Sequence, residues 1–131
     1  MSLPFTENFK LINASTVSVT DPVAALGSNV ADVSQRQKLS IQFTATGIAT
    51  GNGVFKVYVS NDGSNWVLYN RLTDNLTNTN AQTDTRVASC TLSSVTSKIY
   101  FFPAGDYFRY VGVSLAVTTD GSYTATLQTA G

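Results

Sequence analysis

Apolar and polar residues alternate most clearly in residues 54–60, VFKVYVS. A period of two predicts a β-strand whose two faces differ. Residues 61–64, NDGS, supply turn chemistry, because Asn and Asp bond nearby backbone and Gly accepts a positive φ. Trp66 then begins a second apolar run. The pattern predicts a β-hairpin, and we expect Trp66 to be largely buried where this hairpin meets the remaining structure.

Similar alternation predicts further strands at residues 9–19, 38–46, 85–95, 99–102, 106–118 and 123–127. In the first of these, polar interruptions predict a bulge or bend near Ala14. Residues 20–37 read as a long connection in which residues 30–34 could form a short turn of helix. Asp120-Gly121 is a strong signal for a two-residue hairpin turn between the last two strands.

The chain therefore carries about eight short strands, with turn signals every 8–12 residues or so. This spacing predicts an all-β protein, an antiparallel β-sandwich of jelly-roll-like form, and it does not determine the strand order. No linker or internal repeat divides the sequence. We expect one domain over residues 1–131.

Residues 71–83 form a polar segment rich in Asn and Thr. Its few apolar residues offset little of the ordering entropy, so we expect a loop that is mobile or ordered by a partner. The candidate partner-contact residues in this loop are Leu72, Asp74, Asn75, Leu76, Asn78 and Asn80.

Charge is scarce and balanced in this sequence. Charged residues make up 12%, about half the usual share, and eight basic residues match eight acidic ones. No basic run suggests a nucleic-acid partner, no apolar run is long enough for a membrane helix, and the amino terminus does not resemble a signal peptide. The single cysteine, Cys90, excludes an internal disulfide.

The sequence offers no set of catalytic residues. It has no histidine, and most of its carboxylates fall in predicted turns, so we predict no enzyme activity, no cofactor and no metal site. Asp62 could ligate calcium together with Asn61 and Asn65, but stabilisation of the turn is the favoured interpretation. Cys90 lies among apolar neighbours and is expected to be a buried structural thiol rather than a nucleophile.

Aromatic residues are dense between residues 100 and 110. Alternation sends about half of them to the core and half to the other face, which favours a core or subunit interface over a stacking platform for sugar or nucleic acid. Arg109 among them is expected to form an ion pair at the rim of the sandwich. The candidate interface residues are Tyr100, Phe102, Tyr107, Phe108 and Tyr110.

Two segments carry a resemblance to known families: residues 55–66, with their strand-SxDGxxW-strand pattern, and residues 108–113, FRYVGV. They resemble small β-sandwich structural proteins of tailed phages. The same pattern is similar to discoidin-type carbohydrate-binding modules, although this chain lacks their paired cysteines and additional tryptophans.

The phage resemblance implies a virion accessory protein, such as a capsid decoration or another head or tail component. Its expected partners are other copies of itself, with a trimer favoured, and other capsid or tail proteins. Its expected location is the virion, or otherwise the cytoplasm of the producing cell. The alternative is a non-catalytic module that binds a glycan.

Overall fold

A computed structural model describes residues 6–22, 27–34, 36, 38–73, 86–103 and 105–131. Within these residues the chain forms eleven β-strands in two antiparallel sheets that pack face to face. The predicted all-β sandwich is confirmed, with more and shorter strands than expected. In this part of the chain no helix has the length and apolar character needed to span a membrane.

The strands vary from two to ten residues in length. Their bounds are β1 Thr6–Ser15, β2 Val30–Asp32, β3 Lys38–Thr46, β4 Asn52–Ser60, β5 Val67–Leu68, β6 Leu72–Thr73, β7 Arg86–Val87, β8 Ser89–Leu92, β9 Thr96–Phe101, β10 Tyr110–Thr118 and β11 Ser122–Ala130.

The first sheet has the order β1-β11-β3-β9-β6-β7, and the second has the order β2-β10-β4-β5. β4 is the centre of the second sheet. It pairs with β10 along its whole length on one side, and its other side is shared by β8 near Gly53–Lys56 and by β5 at Tyr58 and Val59. Short strands therefore occupy most sheet edges, which limits edge-to-edge pairing.

The core lies between the sheets and is formed by the inward rows of the alternating strands. Phe43 of the first sheet stacks on Phe55 of the second, with ring centroids 4.4 Å apart. Tyr100 and Tyr123 contact this pair from either side. Burial of an apolar side chain contributes about 1.5–3 kcal/mol, so these rows supply most of the stabilisation.

The predicted hairpin is present. Tyr58 pairs with Leu68 and Val59 with Val67 across the bend at residues 61–65, although the second strand has only two residues. Trp66 has most of its surface covered, as expected, but it is not fully buried. Its ring packs against Tyr110, with centroids 6.4 Å apart, on the outer face of the second sheet and outside the main core.

The predicted irregularity in the first strand is also present. Its register with β11 shifts on both sides of Ile12, and Ala14 has φ 50°. The strand ends at Ser15 and does not continue to residue 19 as expected. Val17 is exposed, and Val19 forms an isolated bridge with Leu115 in the other sheet, because the chain crosses between sheets here.

Two further expectations are corrected by sheet pairing. Residues 30–32 form strand β2 and not a helical turn, because β10 offers them an open edge at Tyr110 to Gly112. The predicted strand at residues 85–95 is divided at Ala88. β7 pairs with β6 in the first sheet and β8 with β4 in the second.

The turn at Asp120-Gly121 does not make a hairpin. β10 belongs to the second sheet and β11 to the first, so the turn carries the chain from one sheet to the other. The loop between β3 and β4 makes a second crossing beside it. Gly121 has φ 112°, a conformation that favours glycine in a crossing as well as in a hairpin.

The Asp120 carboxylate joins the two crossings. Its Oδ1 accepts a hydrogen bond from Gly51 N at 2.9 Å, and its Oδ2 accepts longer bonds from Ala49 N and Thr50 N. Burial opposes ionisation of this group, but the three N–H donors hold the pKa of Asp120 below its ordinary value. The Tyr123 hydroxyl, beneath them, donates to Asp120 O at 2.8 Å.

We predict that Gly53→Ala destabilises the protein by about 1–3 kcal/mol. A Cβ at this position would overlap the buried Tyr123 ring, which also packs against Phe55 and has little room to move. Chemical denaturation measures the change. Gly47→Ala is the control for glycine loss, because a Cβ there meets nothing within 4 Å, although its φ of 66° adds backbone strain. A Gly53→Ala protein as stable as wild type would contradict the close packing.

We predict that Asp120→Asn lowers Tm at pH 7 and that this difference shrinks as the pH falls. A carboxyl whose folded-state pKa is lowered stabilises the protein above its unfolded value of about 3.9, and that stability is lost as the pH falls through the folded value. Calorimetry of both proteins between about pH 2 and 7 tests this. A Tm difference that stays constant with pH would show that the charge does not matter.

Candidate interaction surface at the hairpin end

The structure separates the five candidate interface aromatics. Tyr100 and Phe102 are 5% and 7% exposed and belong to the core, so their assignment to an interface is corrected. Phe108 and Tyr110 are half-buried. Tyr107 is 84% exposed and is the member most available to a partner.

An aromatic cluster supports the loop that presents Tyr107. Tyr69 stacks on Phe102 with ring centroids 5.0 Å apart, and Phe108 contacts both rings. The Tyr69 hydroxyl and Arg71 Nε both donate to Asp106 Oδ2, at 2.8 and 2.6 Å. Burial, followed by this bond to Asp106, raises the pKa of Tyr69. The Arg71 hydrogen bond lowers the pKa of Asp106, so the carboxylate remains ionised.

The bend at residues 61–65 is held by Asp62. Its Oδ1 accepts from Ser64 N, Asn65 N and Ser60 Oγ, and its Oδ2 accepts from Asn65 Nδ2 at 2.7 Å. The Asn65 backbone bond is the largest cause of a strongly lowered pKa of Asp62. This is the turn-stabilising role expected from the sequence. Among the described residues no group of three acidic or cysteine side chains is placed to hold a metal ion.

A second bond ties this bend to the Tyr107 loop. Asn61 Oδ1 accepts from Arg109 N at 3.1 Å. Between the two segments lies an open groove of about 190 Å³, which we call the turn groove. Its lining residues are Val59, Ser60, Asn61, Asn65, Val67, Tyr107 and Phe108.

The outer face of the second sheet adjoins the turn groove through β5. Tyr58 and Tyr110 point away from the core, because they alternate with the core residues of β4 and β10. Leu68 is paired with Tyr58. Trp66 packs on Tyr110, and its Nε1 is buried with no hydrogen-bond partner among the described residues. We call Tyr58, Trp66, Leu68 and Tyr110 the aromatic face.

Sequence reasoning missed Val67 and Leu68, which are 64% and 40% exposed. They were placed in the second strand of the hairpin without being assigned to a surface. The missed signal was length, because a strand of two residues after a tight bend pairs only with the end of β4 and remains at the sheet edge. Tyr58 was not singled out either, because alternation shows two different faces of the strand without showing what covers the outer one.

Two other assignments are confirmed by the structure. Arg109 Nε lies 3.7 Å from Asp32 Oδ2 in an exposed ion pair, with its guanidinium over the Tyr110 ring. The hydrogen bond from Ser34 N to Asp32 Oδ1 is the largest cause of the lowered pKa of Asp32, and Arg109 adds to it. Cys90 is buried between the sheets, as a structural thiol would be.

The predicted partner-contact loop is described only at its start. Leu72 is 1% exposed and belongs to β6, so its side chain is part of the core and does not face a partner. The remaining candidates lie outside the described residues: Asp74, Asn75, Leu76, Asn78 and Asn80.

Comparison with known proteins supports the fold. No protein-family model matches the chain, and no curated protein matches its sequence. The crystal structure of the SPBc2 prophage-derived protein YomS is similar over 100% of this chain and 97% of that one, with a TM-score of 0.67 and 14% identity. At this identity the likeness shows a shared fold. A structure of Bacillus endospore appendages, described as disulfide-linked pili, matches 97% of this chain and 81% of that one at 11% identity. Its TM-score of 0.40 is too low to indicate a shared fold.

We predict that Tyr107→Ala changes the free energy of unfolding by less than about 0.5 kcal/mol, since the side chain is almost fully exposed. Phe108→Ala should cost about 1–3 kcal/mol, because the ring packs on Tyr69 and Phe102. Urea denaturation of the two variants measures both. A large loss of stability in Tyr107→Ala would mean that the Tyr107 ring packs against its own loop and is not free on the surface.

Proposed function

We propose that this protein is an accessory structural component of a phage particle, such as a capsid decoration protein, that works through protein–protein contacts. The observation that carries the proposal is the fold that this chain shares, over its whole length, with a prophage-derived protein. Because a fold hosts many functions, the assignment also needs a surface suited to such contacts.

The aromatic face is the surface best suited to a protein partner. It combines half-buried Tyr and Trp rings with the exposed Leu68, and Tyr and Trp are enriched where interfaces bury their core. β5 beside it is an edge strand of the second sheet, and an edge strand can be covered by another chain. The proposed contact therefore includes the aromatic face and the free side of β5.

The proposed first partner is a second copy of the same chain. Formal net charge is zero, so copies repel one another little. Identical subunits that meet through a heterologous contact close into a ring when the rotation allows it, and a trimer is the ring that the phage resemblance favours. The assembled ring would then bind a capsid or tail protein of the particle.

We expect the protein to sediment as an oligomer at micromolar concentration, with little change between about 50 mM and 500 mM salt. An apolar and hydrogen-bonded contact is only weakly screened, whereas a contact built on ion pairs weakens within this range. Sedimentation velocity in both buffers tests the assembly. Dissociation at high salt would keep the oligomer but reject the apolar contact.

Leu68→Asp should dissociate the oligomer, because it places a charge in the proposed contact. Val95→Asp is the matched control: Val95 is also exposed, but it lies between β8 and β9 at the other end of the sandwich. An oligomer unaffected by Leu68→Asp would show that the contact lies elsewhere on the surface.

Particles purified from the producing culture should contain the chain by mass spectrometry. A monomer in every buffer that is also absent from particles would reject the proposed function.

A further inference from the structure

The turn groove is lined by apolar, aromatic and small polar side chains. None of its seven lining residues is charged. Tyr107 and Val67 stand exposed at its sides, and the half-buried Val59 and Phe108 also line it. At about 190 Å³ it is smaller than the roughly 300–1,000 Å³ of most ligand pockets, so it suits one small ring rather than a large molecule.

Two amide side chains supply its hydrogen-bonding groups. Asn61 uses Oδ1 to accept from Arg109 N, and Asn65 uses Nδ2 to donate to Asp62. The opposite ends of the two amides, Asn61 Nδ2 and Asn65 Oδ1, take no part in these bonds. Because both residues line the groove, their amides can offer a ligand a donor and an acceptor, a pair that matches neighbouring hydroxyls, which both accept and donate.

The groove is also formed in advance. Asp62 fixes the bend through its bonds to Ser60, Ser64 and Asn65, and the Asn61 bond fixes the distance to the Tyr107 loop. The Phe108 ring is held by the aromatic cluster behind it. A ligand that enters would order little besides the Tyr107 side chain, and this lowers the entropic cost of binding.

We propose that the turn groove binds a neutral sugar residue, with one face of the pyranose against the Tyr107 ring and its hydroxyls on Asn61 and Asn65. The uncharged lining disfavours phosphate, nucleotide and acidic ligands, which need cationic donors. An exposed aromatic ring between apolar and amide groups matches a sugar, which has an apolar face and a polar edge. The proposal stands apart from the proposed function, since an oligomer can form without binding sugar.

Amide NMR spectra of the ¹⁵N-labelled protein should be recorded during titration with D-glucose, D-galactose and N-acetyl-D-glucosamine, after a screen of neutral glycans on an array. We expect saturable shifts of amides 61–67 and 105–109 with at least one neutral sugar. Tyr107→Ala should weaken this binding by about tenfold or more, and Tyr107→Phe should retain it, since the Phe ring can still stack.

Phe101→Ala is the matched control, because Phe101 is an aromatic residue that is 37% exposed but lies on β9 of the other sheet. It should leave the shifts unchanged. The proposal is overturned if no neutral sugar on the array or in the titration binds, if only charged glycans bind, or if Tyr107→Ala binds like wild type. Sedimentation of the same samples shows whether each variant still assembles, so a loss of sugar binding can be distinguished from a loss of the oligomer.

Discussion

The two sheets are tied together by the contact between two neighbouring crossings, and the Asp120 carboxylate makes that contact. It accepts backbone N–H groups of the β3–β4 loop while its own backbone oxygen accepts the Tyr123 hydroxyl. Because β3, β4, β10 and β11 are the longest inner strands, the alignment of these crossings sets the alignment of the whole core.

The closely packed crossings and the turn groove lie at opposite ends of the sandwich. The crossing end is glycine-rich and closely packed around Tyr123, which leaves little space for a ligand. At the other end, β4 and β10 finish in the Asp62 bend and the Tyr107 loop, where rings and amides reach the surface. Rigid strands that carry polar turns are a common basis for binding sites, because the strands fix the loops that make the contact.

Much of the core could be predicted from parity alone. The inward rows of β3, β4, β10 and β11 are those that alternation indicated, since a strand buried on one face must repeat every second residue. Parity could not say which face of a short strand is covered. Tyr100 is buried because its ring packs against Phe43 between the sheets, and Phe102 is buried because it stacks on Tyr69. Tyr107 is exposed because it lies outside any strand.

By itself the sequence determined the fold class, the inward rows of the long strands, the bulge near Ala14 and the bend around Asp62, because each follows from neighbours a few residues apart. Only the tertiary structure decided which strands share a sheet. Asp120-Gly121 has the local chemistry of a hairpin, yet it joins two sheets, because β10 pairs along its whole length with β4 and β11 pairs along its whole length with β3. The turn groove likewise joins segments more than forty residues apart in the chain. A pattern of neighbouring residues cannot predict such a site, because it does not show which distant segments meet.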